Sequence, residues 1–285
     1  MDFAHEPTLT DAAGTTHEPV AGDVRIASLV PSITELLCAL GLAGMVVGRT
    51  GFCIHPREVV RGIPKVGGTK SVDLARLRSL APTHVVVNVD ENEKPTVDEL
   101  ARFVPHVVVT HPLHPQDNIA LYRLLGGIFG RRAEAAALTR EFERAWRETV
   151  RAASAFPREQ VLYLIWKKPW MTVSRNTYIS AMLAAVGWDT VPETSSERYP
   201  KVALEGALTA GVRRVLLSSE PYRFRARDAA QIGRDALRPV EVSLIDGEMV
   251  SWYGSRAIAG LAYLADLRRR LLAGGSDESR VTSHE

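Results

Sequence analysis

The rings of Trp166, Trp170, Tyr178, Tyr222, Phe224, Trp252 and Tyr253 fall mostly in loops that follow predicted strands, whereas core aromatics usually sit inside periodic segments. Flat rings in such places suit a large, partly apolar ligand. Lys167, Lys168, Arg175 and Arg256 are interspersed with them and suit anionic edges of that ligand, through charge-assisted hydrogen bonds. For any one ring a second reading stays open, in which it packs its loop onto its own lobe. Covalent chemistry would need a nucleophile with a base, paired carboxylates, or metal ligands at a fitting spacing. Gly-x-Ser-x-Gly, a phosphate loop and the paired-histidine zinc motif are absent, and Gly62–Gly68 does not fit a dinucleotide fingerprint. His111 and His114 are three apart, but each precedes a proline and no third ligand accompanies them. The residue types therefore point to binding without catalysis and without a metal held by the protein itself.

The elements that must carry these loops alternate between strand and helix. Val24–Leu29 is a short apolar run, and after Pro31 either Ser32 or Thr34 can cap a helix over Glu35–Leu40, which Gly41 ends. A strand at Met45–Gly48 leads into a loop carrying Phe52, Cys53 and His55, and then to Lys65–Lys70 with its double glycine. A helix over Asp73–Leu80 precedes the β-branched strand His84–Val89, of the kind buried on both faces in a parallel sheet. A helix at Glu99–Phe103 and a strand at Val107–Thr110 follow, then a helix around Gln116–Phe129. From Arg132 to Ala155 the apolar period predicts a long amphipathic helix, about 36 Å at the helical rise. Alternation then resumes, with strands at Val161–Ile165, Thr190–Val191, Arg214–Ser218 and Val240–Leu244 and a last helix from Ser255 to Leu272.

The expected fold class is α/β, with two Rossmann-like lobes joined by a single long backbone helix. The predicted organisation is a disordered arm over 1–23, a first lobe over 24–131, the linking helix over 132–155, a second lobe over 156–272 and a flexible tail over 273–285. In open α/β sheets ligands bind at the carboxyl ends of strands, so both lobes are expected to direct their loops into a shared cleft.

Composition agrees with a ligand-binding globular protein. Apolar residues make up 46% of the 285, and 24% charged residues exclude a disordered chain. With 35 basic against 33 acidic residues, the net charge of +2 gives no reason to expect nucleic acid or membrane insertion. Cys38 and Cys53 lie in different settings and do not suggest a disulfide framework. Residues 1–23 contain no Lys or Arg and no apolar segment, so the expected location is the cytoplasm, or the periplasm if a signal has been removed.

The run Ile26–Glu35 (IASLVPSITE) resembles the first strand and helix of the cobalamin- and iron-complex-binding proteins of ABC importers, the class with a helical backbone. Gly48–Pro56, Lys65–Lys70, Trp166–Val173 and Asp246–Arg256 are similar as well, and the tryptophan loops are nearest to the cobalamin-binding branch. The resemblance spans roughly residues 24–270. It implies a monomeric, non-enzymatic carrier that holds cobalamin or another tetrapyrrole or iron complex between its lobes, with an ABC permease as a partner. A single stiff connection implies only modest lobe closure.

The equivalents that hold the corrin ring are the Phe52 loop, Gly68, Thr69 and Lys70, the loop from Trp166 to Trp170, and Trp252 with Tyr253. Ser32, His55, Arg175 and Arg256 complete the candidate ligand-binding set, with no catalytic residue and no metal ligand among them. Ser32 can equally serve as a helix cap, and Cys53 and His55 as packing rather than axial ligands. Asp90–Glu93 and Glu220 read either as cleft edge or as turn. Two other functional readings stay open: a cytoplasmic carrier or sensor of a corrinoid, haem or iron complex, and an enzyme of cofactor metabolism using Asp246 or Glu248.

Overall fold

The computed structural model describes residues 8–209, 212–236 and 238–274. It has an α/β architecture of two lobes linked by a long helix.

In the first lobe the order is β1 (Ile26–Ser28), α1 (Pro31–Ala39), β2 (Val46–Arg49), α2 (Arg57–Val60), α3 (Leu74–Ser79), β3 (His84–Asn88), α4 (Lys94–Leu100), β4 (His106–Thr110) and α5 (Asp117–Ile128). The sheet runs β2-β1-β3-β4, parallel throughout. Every residue of β3 is buried, as its continuous Val run requires when helices cover both faces. Ala27, Leu29, Val66, Leu77, Val85, Val87, Leu100 and Val104 form one core of this lobe.

The linking helix α6 (Arg132–Ala153) buries Ala135, Phe142 and Ala145, the seven- and three-residue steps of one helical face. In the second lobe the order is β5 (Glu159–Trp166), β6 (Met171–Thr172), α7 (Tyr178–Ala184), β7 (Trp188–Thr190), α8 (Leu204–Thr209), β8 (Arg214–Ser218), α9 (Ala226–Asp235), β9 (Glu241–Ile245), α10 (Gly247–Ser251) and α11 (Arg256–Leu272). Its sheet runs β6-β5-β8-β9, and the long β5 accepts β7 in parallel beside its first residues and β6 antiparallel beside its last. Leu162, Leu164, Val215, Leu217, Phe224 and Ile232 anchor the core.

By their contacts Trp252–Ala257 group with the elements up to Glu143, and the remainder of α6 groups with the second lobe. The arm expected over 1–23 is ordered from residue 8 and tied down: the Asp11 carboxylate accepts from the backbone of Ala13, Thr15 and Val109 at 2.9–3.0 Å and pairs with His17 at 3.0 Å. Ala12 N also donates to Val109 O at 2.9 Å, so the arm covers the outer edge of β4, which would otherwise expose unpaired backbone groups. Residues 1–7 and 275–285 of the expected arm and tail lie outside the described residues.

Two polar clusters hold the lobes internally. In the second lobe the guanidinium of Arg268, fully buried, lies 5.1 Å from the Trp188 ring centroid and donates to Glu159 and to Pro157 O. Arg214 Nε and Trp188 Nε1 also reach the Glu159 carboxylate, at 3.2 and 3.1 Å. Burial alone would raise the Glu159 carboxyl, but Arg268 and Arg214 hold it below its ordinary range. In the first lobe His84 stacks on His106 at 4.5 Å and meets the edge of Phe129 at 5.2 Å. Burial first, then the charges His106 and His17 can carry, lower its pKa from 6.5 to about 4.

Two outcomes follow. Glu159→Ala strands the buried Arg268 guanidinium, leaves Arg214 only Glu241, and lowers unfolding free energy by about 3–5 kcal/mol, whereas Arg158→Ala, which removes an exposed partner of Asp189, costs under about 1 kcal/mol. Urea unfolding of both variants tests the contrast. Because folding keeps His84 neutral, its contribution is intact above pH 6.5 and is lost as pH falls toward about 4, where the unfolded chain takes up a proton that the folded one refuses. The urea midpoint should drop between pH 7.5 and pH 5, and drop less in His84→Gln; equal drops would refute the assignment.

Candidate functional site

Parallel pairing brings the loops after β1, β2 and β3 to one edge of the first sheet. The loop after β2 alternates: Phe52 is 62% and Ile54 47% exposed, while Cys53 between them is fully buried. The Cys53 thiol sits 3.0 Å from Thr34 Oγ1 and 3.2 Å from Thr50 Oγ1, and burial raises its pKa, which keeps it a thiol among hydroxyls. The Phe52 ring lies against the Gly68 turn, where an added Cβ would sit 3.4 Å from it. That turn needs Gly67, whose φ is +96° and whose Cβ would come within 2.2 Å of Ser71 O. Asn92 Nδ2 donates to Thr69 O at 2.9 Å, fixing the Gly68–Lys70 segment to the end of β3. Val89, directly after β3, is 49% exposed.

Trp252–Ala257 complete this lobe's site. Gly254, at φ +83°, donates its N–H to Asn118 Oδ1 and accepts from Tyr122 Oη at 2.9 Å, which binds the segment to α5. Its neighbour Tyr253 is buried and donates to Glu91 Oε1 at 2.8 Å. Burial and then Glu91 push the phenol well above its ordinary value, so it remains a donor. Trp252 is sandwiched in a short series: His55 meets it edge-on at 5.5 Å, and Arg256 lies 4.8 Å from its centroid while making two 2.8 Å bonds to the Glu35 carboxylate.

The second lobe's loops follow β5 and β8. Trp166 is 41% exposed and meets Tyr222 edge-on at 5.7 Å. Trp170 stacks on Phe224 at 6.1 Å, and Phe224 belongs to the core, so the ring is anchored from below. The Asp228 carboxylate accepts from Lys167 Nζ at 2.6 Å and from Arg225 N at 2.9 Å, joining the β5 loop to the start of α9. Burial works to raise that carboxyl, but Lys167 and the backbone donor prevail and lower it.

The structure thus places Phe52, His55, Gly68, Thr69, Trp252 and Arg256 in the candidate loops of one lobe and Trp166 and Trp170 in those of the other. The candidates differ in their surroundings. Ser32 is 3% exposed at the start of α1 and presents nothing to solvent. Trp252 and Tyr253 are buried rather than open. Arg256 and Arg175 are engaged, the first by Glu35 and the second by Glu193 at 2.8 Å. Lys70 remains exposed. Asp246 uses Oδ1 to accept from Glu248 N at 3.0 Å, a turn-forming role. Ile54, Val89 and the outer face of α9 were not anticipated. An apolar residue one step past the buried end of a strand was the available signal for Val89.

Two α/β lobes on one connecting helix, with aromatic residues in loops at the carboxyl ends of the strands, match the architecture of the helical-backbone class of binding proteins. The family model described as "Periplasmic binding protein" matches residues 26–235, and the chain belongs to that family. This family is non-catalytic, which removes the enzymatic alternative, and its members are periplasmic, which favours the second of the two expected locations, the periplasm after removal of a signal. No curated protein sequence matches the chain. Among solved structures, the periplasmic vitamin B12 binding protein of Vibrio cholerae is similar over 86% of this chain and 96% of its own, at 15% identity and a TM-score of 0.73. A periplasmic heme binding protein of Pseudomonas aeruginosa gives 19% identity and 0.74, over 85% and 91% of the two chains. An ABC transporter substrate-binding protein of Listeria monocytogenes gives 17% and 0.72, over 86% and 98%. At these identities the likeness establishes the fold, and it does not single out the cobalamin branch.

Glu35 and Arg256 should be coupled. Glu35→Gln and Arg256→Gln, singly and together, form a double-mutant cycle in urea unfolding whose interaction term is about 1.5–3 kcal/mol, because the bonds are charge-assisted and half-buried. A term near zero would mean that the Trp252 segment is held by its backbone bonds alone.

Proposed function

We propose that this protein captures a tetrapyrrole or another bulky metal complex outside the cytoplasm and delivers it to an ABC permease. The observation that carries this reading is the exposure of Phe52, Ile54, Val89 and Trp166, large apolar groups standing at the carboxyl ends of strands, while the other Phe, Tyr and Trp rings among the described residues are buried or half-buried. Aromatic and aliphatic surface of this kind suits a broad, flat, partly apolar ligand. Relatives of the same fold are named for vitamin B12 and for heme, and one for an ABC transporter, which supports the ligand class and the partner. The anchoring of each loop from beneath, by Cys53 in one lobe and Phe224 in the other, supports binding by preformed surfaces. Each lobe contributes its own loops: Phe52, His55 and Gly68–Lys70 from the first, Trp166 and Trp170 from the second. Neither Cys53 nor the engaged Tyr253 is assigned to the metal, so the complex is held by its organic periphery.

Tryptophan fluorescence should be quenched on titration with haem, cobalamin or a ferric siderophore, and silence toward all three would sink the proposal. Phe52→Ala and Trp166→Ala should each weaken the responding ligand about tenfold, the equivalent of about 1.4 kcal/mol and in the range of one lost aromatic contact.

A further inference from the structure

On the second lobe, a cavity of about 500 Å³ is lined by Lys167, Lys168, Tyr222, Arg227, Gln231 and Arg234, together with Asp228. We propose that this cavity seats free carboxylate groups at the edge of the ligand, so that the protein selects tetrapyrroles bearing acid side chains over those with amidated peripheries. The inference rests on the reading of function given above.

Charge is the first ground. Four cations line the cavity against a single carboxylate. Asp228 is buried and fully used, since one oxygen takes the Lys167 ammonium and the other the Arg225 backbone N–H. Lys167 is therefore neutralised in place and steadied by Gln231 Oε1 at 3.1 Å. Lys168, Arg227 and Arg234 have no carboxylate within ion-pairing distance among the described residues, and all three are exposed. Of the other cations singled out in the sequence, Arg175 and Arg256 are paired, and Lys70 is exposed on the first lobe. In the second lobe's candidate loops, unbalanced positive charge is thus concentrated at this cavity.

Placement is the second ground. Arg227, Gln231 and Arg234 are spaced four and three apart, which puts them on one face of α9. Lys168 joins them from the turn after β5, in a left-handed conformation (φ +67°) that side-chain-bearing residues rarely adopt. Tyr222 lines the cavity and also meets Trp166 edge-on, and the Lys167 ammonium lies 5.6 Å from the Trp170 centroid. Stacking surface and cationic wall therefore adjoin. A macrocycle resting on the rings would extend its edge groups to the wall, where guanidinium and ammonium donors match carboxylates. Haem carries two such carboxylates; the corrin periphery of cobalamin carries mainly neutral amides.

The test uses the full chain and a Lys168→Ala/Arg234→Ala variant, with Lys168→Arg/Arg234→Lys as the charge-keeping control. Citrate, a small polycarboxylate, should bind the wild type in calorimetry, bind the alanine variant at least tenfold more weakly, and bind the control nearly as well as the wild type. Haem should quench wild-type tryptophan fluorescence with about tenfold higher affinity than its dimethyl ester, and the alanine variant should bind the two forms alike. Absence of citrate binding, or equal binding to wild type and alanine variant, overturns the anion site. Equal affinity of acid and ester for the wild type overturns the ligand selection alone and leaves the proposed function standing. Citrate binding without a response to any tetrapyrrole overturns both the selection and the tetrapyrrole reading.

Discussion

A parallel ladder gives every strand in it the same direction, and much of this molecule follows from that constraint. Once Ile26–Ser28, Val46–Arg49 and His84–Asn88 pair in parallel, the chain must leave each of them at the same sheet edge. The return to the opposite edge is made by helices, which cover both faces and make the middles of the strands apolar. Polar residues such as Ser28, Arg49, His84 and Asn88 stand at strand ends, and conformationally unusual ones collect where the chain exits. Phe52, Gly67 and Val89 stand at such exits in the first lobe, and Lys168 and Tyr222 in the second. The site needs no special scaffold beyond the sheet.

Electrostatic closure supplies the second organising rule. A buried cation is tolerated only where a carboxylate and further hydrogen bonds replace its hydration. Arg268 and Arg214 meet this condition through Glu159, and Lys167 meets it through Asp228. Arg256 does so through Glu35, and its guanidinium then covers the face of a nearly buried Trp252. In each case the pair has become part of the architecture and is no longer available to a ligand. The cations of Lys168, Arg227 and Arg234 differ in being solvated, so their charge is not already committed.

What the sequence revealed and what it hid divide along the same lines. The Val85–Val87 and Val107–Val109 runs, and the helical period from Arg132 onward, are local patterns, and local patterns announced the strands and α6. The exposure of Phe52 and Trp166 was also legible, because both rings stand outside any apolar period. Pairings between distant residues left no such trace. Nothing near Arg256 shows that its carboxylate partner is Glu35, and nothing near Asp11 shows that it will accept from Val109. The arm lacks periodicity, which predicts a loose segment, yet it is held by one carboxylate with several donors and by Leu9 packed on Gly127, interactions that need no periodicity. The cationic face of α9 was visible as a spacing, but its meaning depended on the β5 loop folding beside it.

Exposed rings are unstable ornaments unless something prevents them from collapsing onto the surface, and the loop after β2 shows how collapse is prevented. Gly51 N donates to Gly67 O at 2.7 Å, and Arg49 Nε donates to Val60 O at 2.7 Å, which pins the loop at both shoulders. Gly51 and Phe52 form a turn closed by Cys53 N donating to Thr50 O at 3.3 Å, Cys53 sinks between two threonine hydroxyls, and Phe52 and Ile54 on either side of it stay exposed. The apolar surface is therefore held open by the same residue that anchors the backbone. A surface ordered in advance costs little to cover, so under the proposed function most of the free energy of covering the ring goes into affinity. A polar loop of equal length, free to move, could present the same ring and bind far more weakly.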